Sequence, residues 1–168
     1  MCLHGQVPDA GKDRARALGS ELIEVHDWLR RELRRLQADL ADGSTRSVAA
    51  AGSLRAHCLS FCAALAGHHT SEDRRAFPAL AAQLPGLTAV LAELERDHHL
   101  VAAILRRAEQ IAAEAGEGSL AALRAELDGL AAILESHFRW EERRLVAALN
   151  ELDQPGATAA DLFGMSDQ

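Results

Sequence analysis

The sequence predicts an all-α protein, an up-down-up-down four-helix bundle in which one pair of helices loosely repeats the other. Three observations carry that expectation. Aromatic residues make up 4% of the chain while Ala, Leu, Glu and Arg abound, a composition that favours helix over strand. No segment alternates apolar and polar residues with period two over a useful length. Breakers divide the chain into four stretches of helical periodicity, roughly 25–30 residues each, and short connections between such stretches make antiparallel neighbours. At 168 residues the chain fits one domain, able to bury a continuous core. That domain is expected to span residues 1–168, with its core at about 13–151 and loosely held tails before about Lys12 and after Pro155.

The first helix carries the stripe Leu22, His26, Leu29, Leu33, Leu36 and Leu40, spaced by threes and fours so that all six share a face. "ADGSTRS" (41–47) ends it. The second helix runs to "AFPALAAQLPG" (76–86), where Pro78, Pro85 and Gly86 interrupt it and leave room for a short helical turn. On the third, Leu87, Leu91, Leu94, His98, Val101 and Leu105 form the stripe; His99 is turned off it. "AGEGS" (115–119) separates the fourth, whose stripe is Leu123, Leu127, Leu130, Leu134, His137, Glu141 and Leu145, and "DQPG" (153–156) closes it.

Two segments share a frame: "HHTSEDRRAFPAL" (68–80) and "HFRWEERRLVAAL" (137–149) each read His, three residues, an acidic pair, two arginines, then an apolar run. "VHDWLRRELRRL" from Val25 and "DHHLVAAILRRA" from Asp97 are similar in the same way. A bundle with that pseudo-symmetry brings matching positions together across its axis. A helix turns about 100° per residue, so His68 and Glu72 share a face, as do His137 and Glu141, and His69 falls within the same inward arc.

One histidine on an apolar face is usually a satisfied core residue, and one His-x-x-x-Glu is usually a surface pair. Here five histidines and two glutamates converge from four helices: His26, His68, His69, Glu72, His98, His137 and Glu141. Burying two carboxylates among unpaired imidazoles costs several kcal/mol unless something cationic compensates. A pair of metal ions would do so. Five imidazoles, two bridging carboxylates and one bridging oxo or hydroxo fill eleven of the twelve positions around two octahedral ions, leaving one for a small exogenous ligand. Imidazole and carboxylate donors without thiolate suit iron or manganese better than structural zinc.

At these residues the chain resembles the hemerythrin-like (HHE) domain family, non-haem di-iron four-helix bundles. The resemblance covers about residues 26–149 and rests on the order and spacing of the histidines and glutamates and on Phe77-Pro78 after the second helix. It implies two iron ions bridged by Glu72 and Glu141. It further implies His26 and His68 on one ion, and His69, His98 and His137 on the other, with the open position on the ion holding fewer imidazoles. His57 and His99 are surplus to that pattern. The implied function is binding of oxygen or a similar small ligand for carriage, storage or sensing. The alternative is a di-iron oxidoreductase activating oxygen, peroxide or nitric oxide, which needs an electron donor.

Other classes find little support. A net charge of −7 gives no electrostatic help for nucleic acid or an anionic membrane. No apolar run approaches the length of a membrane span, "MCLHGQVPDAGKDR" lacks a signal-peptide core, and three cysteines make no paired framework, so a reduced, cytoplasmic protein is expected. A ferritin-like centre needs Glu-x-x-His on two helices; Glu95-x-x-His98 is the one match, and His26 stands where a carboxylate should be. Cys58 and Cys62 read as small buried hydrophobes rather than a redox pair. Asp73 and Glu142 follow the two glutamates and read equally as ligand-orienting groups or as a solvated pair. Tyrosine is absent, which removes phenolate ligation and tyrosyl radicals.

Overall fold

The computed structural model describes residues 10–42, 48–114 and 117–164, and among them there is no strand. Four long helices form the body: α1 (Ala10–Ala41), α2 (Val48–Ser71), α4 (Thr88–Ala113) and α5 (Glu117–Leu149), with two short ones, α3 (Phe77–Gln83) and α6 (Ala159–Phe163). The expected first loop lies largely outside the described residues, at 43–47, as do the N-terminal tail at 1–9 and part of the third loop at 115–116. Expected helix positions otherwise agree with those seen.

Polar contacts between helices fix the up-down-up-down order. Gln37 bonds Asp128 and Arg30 bonds Glu135, so α1 descends as α5 ascends. Arg55 of α2 reaches the last carbonyls of α4 at Ala112 and Ala113, and Arg107 of α4 pairs with Glu126 of α5. His57 of α2 pairs with Glu32 and Asp39 of α1. Each long helix therefore runs antiparallel to two neighbours. Gly19 lets α1 approach α5 closely, since a Cβ there would lie 2.6 Å from Asn150 Oδ1 and 2.9 Å from the Val146 carbonyl.

Helix α2 does not stop at Pro78. It passes through one π turn, Glu72–Ala76, in which the Phe77 N–H reaches back to the Glu72 carbonyl. Pro78 has no N–H to offer the preceding turn and its ring crowds that turn, so a widened turn is a physically sensible way to carry the helix onward. The break comes at Leu84, where φ −127° and ψ 72° leave helical space before the 3-10 turn Pro85–Leu87.

The core has two apolar clusters with a polar layer between them. One contains Leu29, Leu33, Leu36, Leu65, Val101, Leu130 and Leu134. The other contains Leu18, Leu22, Ala76, Phe77, Leu94 and Leu145. Each buried leucine contributes on the order of 2 kcal/mol, so the leucines on both sides, and not the layer between, carry most of the bundle's stability. Cys58 and Cys62 are fully buried in the first cluster, as expected of small hydrophobes.

One expectation fails. Residues 156–164 are not a loose tail; the last four residues lie outside those described. Thr158 and Asp161 form a reciprocal capping box that starts α6, and Leu162 and Phe163 are buried in the second cluster. The Pro155-Gly156 breaker ends α5's extension without ending the fold, because two large apolar side chains follow and find the second cluster.

Candidate metal centre

The polar layer follows from the stripes. His26 falls between Leu22 and Leu29 on α1, His98 between Leu94 and Val101 on α4, and His137 and Glu141 between Leu134 and Leu145 on α5. His68, His69 and Glu72 come from the end of α2 and its π turn. All seven expected residues are buried, none more than 5% exposed.

They meet in three overlapping groups. The ligand atoms of His26, His68 and Glu72 lie within 4.8 Å of one another, as do those of His69, His98 and His137; a third group joins Glu72, His98 and Glu141. His26 Nε2 faces His68 Nε2 at 3.2 Å, and His98 Nε2 faces His137 Nε2 at 3.2 Å. Both carboxylates span the halves. Glu72 lies 3.4 Å from His68 Nε2 through one oxygen and 3.6 Å from His98 Nε2 through the other. Glu141 Oε2 lies 3.4 Å from His26 Nε2 and 3.5 Å from His137 Nε2.

The outer nitrogens fix which way the rings carry their protons. His26 Nδ1–H donates to Glu142 Oε1 (2.9 Å), His98 Nδ1–H to Asp73 Oδ1 (2.7 Å) and His68 Nδ1–H to the Phe163 carbonyl (3.1 Å). Each partner can only accept, so these rings hold the proton on Nδ1 and turn the Nε2 lone pair inward. At 3.2 Å the facing Nε2 atoms of His26 and His68 repel unless a proton or a metal cation lies between them. Glu72 Oε2, both oxygens of Glu141 and His69 Nε2 are likewise buried with no hydrogen-bond partner. A native core does not leave so many acceptors unpaired without a reason. The donor set fits a pair of cations.

Electrostatics agree. Burial, then the neighbouring imidazoles, hold His68 down to about 3 and push His69 well below the usual histidine range. Burial also lowers His137. These rings are neutral and ready to coordinate. Burial lowers His26 too, but the Glu141 and Glu142 carboxylates outweigh it and raise its pKa. Burial and the Glu141 charge push Glu72 well up, while contact with His26 and the other rings holds Glu141 low despite burial. Left to themselves, the side chains gather protons on His26 and Glu72, and positive charge is what the layer requires.

Asp73 and Glu142 turn out to orient rings across the bundle. Arg30, a residue with no expected role, anchors Glu142 at 2.9 Å and Glu135 at 2.9 Å. Sequence reasoning also missed Asp97, whose carboxylate lies 3.5 Å from His137 Nδ1, and the Phe163 carbonyl. Asp97 could have been noticed as an acid beside His98; a backbone carbonyl leaves no side-chain signal. The surplus histidines stay outside. His57 lies between Asp39 and Glu32 at 3.3 Å from each, and His99 is exposed. Glu95 belongs to none of the ligand groups among the described residues.

Comparison with known proteins agrees with this geometry. The family model for the hemerythrin HHE cation-binding domain matches residues 17–149. No curated protein and no solved structure matches the chain. No helix among the described residues is long and apolar enough to cross a membrane. The match covers most of the chain and contains all seven converging side chains, and the chain belongs to the hemerythrin HHE cation-binding domain family.

Proposed function

We propose that the chain holds two iron ions and binds oxygen or a similar small ligand at one of them. His26 and His68 would hold one ion, His69, His98 and His137 the other, with Glu72 and Glu141 shared. When bound, the pair supplies reversible electron exchange and an open coordination position. The chain's own residues supply the rest. The Nδ1 partners hold the rings with their lone pairs inward, and the leucine clusters exclude water from both sides.

One observation carries the reading: seven buried donors converge with their lone pairs facing one another, and one half has an imidazole where the other has a phenyl ring. His69 stacks on His98 at 3.9 Å and 7°; Phe138 stacks on His26 at 4.0 Å and 15°. Phe138 cannot coordinate, so the open position belongs on the His26 and His68 side.

Binding and turnover separate in one experiment. Iron-loaded protein is reduced without air, then exposed to air and followed by absorption spectroscopy through several cycles. A reversible colour change is the expected result. Steady consumption of oxygen or peroxide in excess of the iron present would replace carriage with an oxidoreductase.

A further inference from the structure

Residues 157–164 lie beyond the span that matches the family, yet they return to the metal centre. Asp161 caps α6 through Thr158 and accepts from Arg75 Nη1 at 3.1 Å, which latches the segment to the π turn from outside. Leu162 and Phe163 fasten it from inside, among Leu18, Leu22, Phe77 and Leu80. Gly164, at φ +70°, then lies directly against α2: a Cβ there would fall 2.5 Å from Ser71 Oγ and 2.7 Å from the Gly67 carbonyl. That approach brings the Phe163 carbonyl to His68 Nδ1 at 3.1 Å. His68 is wholly buried, so nothing from solvent substitutes for that acceptor.

The matching ring in the other half is held less firmly. His137 Nδ1 is 3.5 Å from Asp97 and makes no hydrogen bond. We propose that the strap of residues 157–164 is a positioning element for His68, and that metal occupancy of the His26 and His68 half depends on its docking while that of the other half does not. The carbonyl keeps the proton on Nδ1 and the ring aimed inward. A carbonyl neither titrates nor rotates away while the strap is docked, so it defines the tautomer more strictly than a surface carboxylate does. The occupancy part of this inference rests on the two-iron reading; the tautomer part does not.

The test compares three full-length variants. Gly164→Ala places a methyl against α2 and lifts the strap. Gly156→Ala is the control, since Gly156 also has a positive φ, +95°, but a Cβ there meets nothing within 4 Å. Asp161→Ala loosens the outer latch without touching the core and guards against misfolding of Gly164→Ala; circular dichroism confirms helicity in each. Ferrous iron titrated anaerobically gives stoichiometry and affinity, and ring nitrogen NMR before iron is added reports the His68 tautomer. We expect Gly164→Ala to lose about 10–100-fold in affinity for one of two ions and to show a mixed His68 tautomer. Asp161→Ala should move the same way by less, and Gly156→Ala should match the parent chain. Gly164→Ala and Asp161→Ala with both ions bound as in the parent and His68 unchanged would overturn the proposal. A parent chain that takes fewer than two ions overturns the two-iron reading instead; the NMR comparison then decides the strap alone, an unchanged His68 in both variants counting against it.

Discussion

The two halves of the centre are near copies with one substitution and one difference in support. His26 matches His98, His68 matches His137, and Glu72 matches Glu141; even the outer partners correspond, with Glu142 on His26 and Asp73 on His98. That explains the acidic pairs in both repeats. The first acid of each pair turns inward between the halves, and the second crosses to orient the ring of the neighbouring helix. The substitution is His69 in one half against Phe138 in the other, each stacked flat on its histidine. The support differs as well. His26 is tied through Glu142 to Arg30 and His68 to the strap, whereas His98 and His137 lean on carboxylates near the surface, beside a cavity of about 260 Å³ that His69 and His98 line. A repeated frame thus makes a symmetric set of inner donors, and single-residue departures from it give the halves different donors and different support.

The largest effect should come from the residues the halves share. Glu72→Ala and Glu141→Ala should each empty both halves, because each carboxylate touches one ring of either pair. His99→Ala, on an exposed position, should keep full metal content. Elemental analysis of the purified variants checks this. If His99→Ala emptied the centre and His98→Ala did not, the assignment on α4 would be wrong.

A smaller and more selective effect should follow from erasing the difference between the halves. Phe138→His should retain both ions yet abolish the colour response to air, because an imidazole would take the position where the small ligand is expected. Absorption spectra with and without oxygen, alongside iron analysis, separate this from simple loss of metal. A variant that keeps two ions and still responds to oxygen like the parent would place the open position elsewhere.

Much of this was legible in the sequence, and the reasons are local. Leucines, histidines and glutamates at spacings of three and four mark one face of a helix, so the four long helices and the seven inward residues could be read together. What escaped depends on contacts that spacing does not encode. The π turn shifts the register after Glu72 by an amount a regular helix does not anticipate. Nothing in the spacing singles out Arg30, yet it bonds Glu142 and lies 5.2 Å over the Phe138 ring. The strap was misread because Pro155 and Gly156 signal an end more strongly than five residues of helix signal a return. Its capping residues, Thr158 and Asp161, and the apolar pair Leu162-Phe163 were the available clues.

The central claim is that His26, His68, His69, Glu72, His98, His137 and Glu141 together hold two iron ions. Its most direct test is the metal content of the full-length protein after anaerobic reconstitution with ferrous iron and removal of loosely held metal. Two iron ions per chain is the result this account predicts. One zinc ion and no iron, or a single ion that saturates the chain, would contradict it.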